Sequence, residues 1–137
     1  MLRSGSWDLS SKAGDHVGQR LLRLWLRLEK FQSHVGHVDL LVYEQPGLLH
    51  GHARKVLPAM QGVVELWCAK EKIECQVVGV QAIKIHATGK GKANKDDMIM
   101  AAVARWPEIQ IESHDHADAL WLLDLVRSKF AGGDDRR

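Results

Sequence analysis

Long apolar runs are missing from this 137-residue chain. None approaches the roughly 18 residues that a bilayer-spanning helix needs. The opening MLRSGSWDLSSKAG lacks the apolar centre of a signal peptide. Cysteine is scarce: Cys68 and Cys75 are the only two, and they form no CxxC. Two thiols are a weak disulfide framework for a chain of this length, so reduced cysteines and a cytoplasmic location are expected. A charge excess is also lacking. Nineteen Lys and Arg face seventeen Asp and Glu, for a net charge of +2. Any case for a nucleic-acid ligand must therefore rest on how the charge is distributed. No repeat or low-complexity linker is present. One domain over residues 1–130 is expected, with AGGDDRR at 131–137 as a disordered tail.

What is present is a patterned chain, 45% hydrophobic, long enough to bury a real core. GSWDL at 5–9 is read as a short strand. Val17, Leu21, Leu24, Trp25, Leu28 and Phe31 recur at three- and four-residue steps, with Arg20, Arg23, Arg27 and Lys30 opposite. That spacing predicts an amphipathic helix to about Gln32. HVDLLVYE, residues 37–44, suits a buried strand stopped by Pro46 and Gly47. Residues 52–72 form a second helix with Pro58 inside it, where a kink or late start is expected. ECQVVGVQ, 74–81, is a second buried strand, and KIHATGKGKANK, 84–95, a mobile basic loop. A third helix runs from Asn94 to Arg105, with Asn94 as N-cap and Asp96 and Asp97 in its first turn. The last starts near His114 or Asp115 and reaches about Phe130. Strands alternating with helices imply parallel pairing in an α/β layer.

Open parallel sheets bind ligands beyond the C-terminal ends of their strands, and Glu44 sits at such an end. A solvated acid at a strand exit would look the same. Asp115 and Asp118, three apart, share one helix face, and a favourable helix dipole alone would account for them. The sequel ALWLLDLV is apolar on several sides, so these carboxylates stand where core meets cleft. Three carboxylates converging from two elements suit a hard cation such as Mg²⁺. Two such ions can clamp the attacking and leaving oxygens of a phosphodiester. Lys84, Lys90, Lys92 and Lys95 supply phosphate-binding charge, although an isolated lysine run is also an ordinary solvated loop. The eight histidines include two HxH pairs, His50/His52 and His114/His116. Zinc wants three or four N/S ligands, and no HExxH or paired CxxC provides them. His114 and His116 are better read as flanking the acids, one as proton donor or as hydrogen-bond partner behind a metal ligand. Cys68 beside Trp67 reads as a small buried apolar residue.

Three segments together resemble the RuvC-type Holliday junction resolvases, most closely their phage-type branch. LLVYEQP (40–46) is similar to the family's strand ending in a catalytic Glu. VQAIKIHATGKGKANKDDM (80–98) is similar to its V-x-x-x-K … G-x-G-x-A-x-K segment, with Lys84 and Lys95 at the lysine positions. DHADALWLL (115–123) is similar to its D-x-A-D-A-L motif. The likeness runs in order from about residue 5 to 128. It implies an RNase H-like three-layer α/β fold with a mixed sheet. It also implies an endonuclease dependent on Mg²⁺ or Mn²⁺ that nicks branched DNA such as four-way junctions, as a homodimer. Glu44, Asp115 and Asp118 would be metal ligands, and Lys84, Lys90, Lys92 and Lys95 would contact DNA. In-line attack by water would leave a 5′-phosphate. One departure stands out. The family opens with a strand of the GIDPG or ALDLGT kind, whose Asp bridges the metals, and this chain has no such segment. Asp8 lacks that surrounding pattern. The first two strands and the fourth acid are therefore expected to be absent, leaving sheet edges unpaired. The competing expectations are a DNA-junction-binding protein that has lost the chemistry and a truncated fragment of such a nuclease.

Overall fold

The apolar stripe of the first helix folds as its spacing predicts. In the computed structural model, which describes residues 2–47 and 50–134, it forms α1 (Val17–Val35). There follow β1 (Leu40–Glu44), α2 (Ala53–Glu71), β2 (Glu74–Val78), α3 (Val80–Thr88), α4 (Lys95–Arg105) and α5 (His114–Asp134). The chain forms two compact units: one is Trp7–Leu41 with Pro46–Gln76, and the other is residues 2–6, Val42–Gln45 and the chain from Val77 onward.

In the first unit, Leu24 and Leu28 of α1 are buried with Trp67 and Cys68 of α2 and with Ile73. Their i, i+4 spacing puts both leucines on one face. Asp15 anchors the entry to α1, accepting from Arg23 Nη1 at 2.6 Å and Nη2 at 2.8 Å. Gly36, at φ 79°, ends the helix and donates its N–H to the Gln32 carbonyl. Pro58 lies in the second turn of α2. It removes one i→i−4 bond, yet the helix begins before it and runs on to Glu71.

The strand expected at 5–9 is absent; these residues have no regular structure. Asp8 instead accepts bonds from the Ser10 backbone N–H and hydroxyl, a local turn that competes with a ladder. Trp7 packs edge-on against Phe31, centroids 6.3 Å apart.

In the second unit α3, α4 and α5 pack against one another. The basic loop expected from residue 84 is partly helical: α3 carries Lys84, and only residues 89–94 connect it to α4. Accordingly β2 stops at Val78. Gly79 takes an extended conformation that frees the chain to turn, Ile83 is buried, and Gly89 at φ 77° closes the helix with its N–H on the Ile85 carbonyl. Left-handed backbone is a glycine conformation. Nor is the connection loose. The Thr88 hydroxyl donates to the Lys84 carbonyl at 2.9 Å and accepts from the Lys90 N–H at 3.1 Å. Asn94 caps α4 as expected, in a reciprocal pair with Asp97 at 2.8 and 3.0 Å.

Helix α5 is buried at Ala117, Leu120, Trp121, Leu122, Leu125 and Val126, so it is enclosed on several sides. Trp121 lies 4.7 Å from Trp106, centroid to centroid, and its Nε1 donates to the Met98 carbonyl at 3.4 Å. Asp124 ties the three helices together, with His86 Nε2 at 2.8 Å and Arg105 Nη2 at 3.6 Å. α5 continues through Asp134, past the start of the expected tail; 135–137 lie outside the described residues.

β1 and β2 form a two-stranded parallel sheet. The mixed sheet implied by the family resemblance is not found among the described residues. The pairing is extended by the Gln45 N–H, which donates to the Val78 carbonyl at 2.8 Å. No described helix is long and apolar enough to cross a membrane.

Candidate functional site

β1 ends on Glu44, and in the same unit three helices begin around it. Residues from the first two turns of α3, α4 and α5 line one cavity of about 230 Å³. Its polar groups are Glu44, Lys84, Lys95, His114, Asp115 and Asp118, with Asn94 at the α4 cap. Helix starts carry unpaired N–H groups and the positive end of the dipole, so this wall favours anions. The sequence achieves this through its stops. Gly79 and Asn94 begin α3 and α4 at the cavity. On α5 the three-residue spacing puts Asp115 and Asp118 on the face that lines it.

The carboxylates are not equivalent. Glu44 and Asp118 are half-buried, whereas the Asp115 side chain is 85% exposed. Burial pushes the Glu44 pKa up, and the negative charges of Asp118 and Asp115 push it further; Lys84 and His114 oppose them. Burial also raises Asp118, with Asp115 adding to the rise and His114, Lys84 and Lys95 working against it. His114 Nε2 lies 3.2 Å from Asp115 Oδ1. Burial thus keeps both acids above their ordinary range although Lys84 and Lys95 line the same cavity. Their oxygen donors suit a hard cation. The geometry is looser than the chemistry. Among the described residues, no three His, Cys, Asp or Glu side chains are gathered closely enough to hold one metal ion.

The remaining expected residues divide. Lys84 and Lys95 line the cavity. Lys90 and Lys92 stand exposed on the α3–α4 connection and are not among its lining residues. His114 is in the cavity wall, but His116 is not. His116 is 4% exposed, and its Nδ1 accepts the Glu112 backbone N–H at 3.1 Å. It thus ties the start of α5 to the segment before it. Asn94 and Met98 also line the cavity, and no motif marks either as a site residue. Asn94 had a legible signal as an N-cap; Met98 reads only as an ordinary core residue. His50 and His52 are exposed, and no zinc-binding group exists among the described residues.

No family model matches the sequence, and neither does any curated protein. Solved structures do. Thermus thermophilus RuvC superposes with a TM-score of 0.67 at 14% identity, over 90% of this chain and 75% of that one. T. thermophilus RuvC in complex with Holliday junction substrate gives 0.66 at 14% identity, over 90% of this chain and 74% of that one. At such identity the likeness speaks for the backbone, and its extent is sufficient for one conclusion: the chain has a RuvC-like α/β fold.

Proposed function

We propose that this chain is a structure-selective DNA endonuclease that acts on branched DNA such as four-way junctions, akin to the phage-type RuvC-like enzymes. One observation carries the reading. Glu44, Asp115 and Asp118 line a single cavity with Lys84 and Lys95, in a fold that resembles RuvC, one of whose structures is a complex with Holliday junction substrate.

The residues divide the work by charge. Lys84 and Lys95 hold a backbone phosphate by point charge, helped by the helix starts around them. Glu44, Asp115 and Asp118 would hold Mg²⁺ or Mn²⁺. When bound, such an ion supplies Lewis-acid polarisation of the phosphodiester and a lower pKa for attacking water. His114 restrains Asp115 from the side. In-line attack would leave a 5′-phosphate. Symmetric cutting across a junction suits a homodimer, and the reading places the protein in the cytoplasm.

A cleavage assay on a synthetic four-way junction with Mg²⁺ or Mn²⁺ tests the reading. Paired nicks that vanish in Glu44→Gln, with junction binding retained, are expected. A second reading, a junction-binding protein without chemistry, is favoured by the absence of three closely gathered ligating side chains among the described residues. Junction binding with no cleavage under any divalent metal would establish that reading instead.

A further inference from the structure

The end of α2 brings the two cysteines into one cluster. After Glu71, Lys72 takes a left-handed conformation at φ 58°, ψ 42°. The N–H of Ile73 then returns to the Cys68 carbonyl at 2.8 Å. This reversal is a familiar helix stop, and it starts β2 beside the last turn of α2. In a strand, residues two apart share a face. Cys75 therefore follows Ile73 into the core cluster that holds Cys68 and Trp67. The two positions differ in access: Cys68 is 1% exposed, while Cys75 is half-buried. Both are free thiols. Burial pushes the Cys68 thiol up to about 12, and its interaction with the Cys75 thiol adds to the rise.

We infer that Cys68 and Cys75 form a dithiol that peroxide oxidises to a disulfide, with Cys75 attacked first and Cys68 resolving. Access sets the order. The thiolate is the nucleophile; Cys68 is enclosed and held protonated at neutral pH, so the first encounter falls to Cys75. Its thiolate attacks one peroxide oxygen, the O–O bond breaks, and the departing hydroxide takes a proton to become water. Cys75 is left as a sulfenic acid. The Cys68 sulfur then attacks the Cys75 sulfur. The S–S bond forms as the S–O bond breaks, and the hydroxide leaves with the Cys68 proton as a second water. Two thiols are oxidised and one peroxide is reduced. Cys68 is almost fully enclosed, so dimedone present throughout the oxidation can compete with it for the sulfenic acid. The inference stands apart from the nuclease reading, since it uses no residue of the cavity.

The full chain treated with hydrogen peroxide, then alkylated and digested, reads the outcome directly. A peptide joining Cys68 to Cys75 should appear, two hydrogens lighter than its reduced parts, with both alkylation sites lost and both restored by dithiothreitol. Dimedone added during oxidation should label Cys75 and not Cys68. Cys68→Ser should increase that label, with far-ultraviolet circular dichroism checking its fold; the wild-type mapping needs no variant. Three results would each overturn the inference: both thiols still alkylatable after peroxide, Cys75 driven to sulfinic acid beside a free Cys68, or disulfides only between chains.

Discussion

Glu44 is held above the ordinary glutamate range first by its burial and then by the charge of Asp118 on the neighbouring helix. An acid whose folded pKa is raised contributes stability that is full below the ordinary value and is lost as pH rises through the shifted one. At neutral pH its ionisation opposes folding. Glu44→Gln should therefore raise the melting midpoint at pH 7. The gain should shrink to nothing below about pH 4, where the native Glu is protonated as well. A series of melts across pH, variant against wild type, checks both the sign and the window. Mg²⁺ should raise the wild-type midpoint and leave that of Glu44→Gln nearly unmoved.

The two lysines outside the cavity answer a different question. Lys90 and Lys92 stand exposed on a connection pinned by Thr88. If each neutralises a phosphate, Lys90→Ala with Lys92→Ala should flatten the slope of log K against log salt by about 1.8. Junction affinity would fall with it. Fluorescence anisotropy at several salt concentrations measures the slope, and an unchanged value would remove this connection from the DNA interface.

Asp15 gives a pH effect of the opposite sign. Its two bonds from Arg23, together with a bond from the Lys12 backbone, hold its pKa down to about 2. Stability from a depressed acid is present above its ordinary pKa and lost as pH falls through the folded one. Wild type should lose this contribution between about pH 4 and pH 2. Asp15→Asn should be less stable at pH 7 and show a shallower acid limb, readable by circular dichroism.

Trp121 is the side chain on which the three-helix unit turns. It is 6% exposed, packs at a tilt against Trp106 and donates to the Met98 carbonyl. Trp121→Ala should cost about 3–5 kcal/mol, a large part of the 5–15 kcal/mol typical of a domain. Trp121→Phe, which keeps the ring packing and gives up only the N–H bond, should cost much less. Urea titration of both variants separates the two contributions.

The parts of the fold that could be read from the chain were those where one periodicity dominates. Leu24 and Leu28 announced α1, Asn94 with Asp97 announced the start of α4, and the apolar surround of Trp121 announced a deeply enclosed α5. α3 was missed for a physical reason. VQAIKIHAT is nine residues long, too short for a stripe to emerge, and the glycines and lysines after it suggest a loop. Its real boundaries are the extended Gly79 and the left-handed Gly89. The strand at 5–9 failed because Asp8 closes a turn on Ser10, a local competition that alternation of apolar residues does not register. The site itself was visible through motif resemblance more than through patterning. Apolar patterning could place Glu44 at a strand end and two acids at a helix start. It could not reveal that Lys84 stands on a helix or that His116 turns inward to bond the Glu112 N–H.

The two-stranded sheet places a narrow tolerance on the site. Successive side chains of a strand point to opposite faces, and a shift of one residue exchanges the faces entirely. Glu44 is the last residue of β1, and beside it the Gln45 N–H is fixed on the Val78 carbonyl. A one-residue slip of that single ladder would carry Glu44 out of the cavity and present Tyr43 or Gln45 in its stead. The fidelity of strand alignment, more than the number of acids in the chain, thus decides whether the cavity holds its full negative charge.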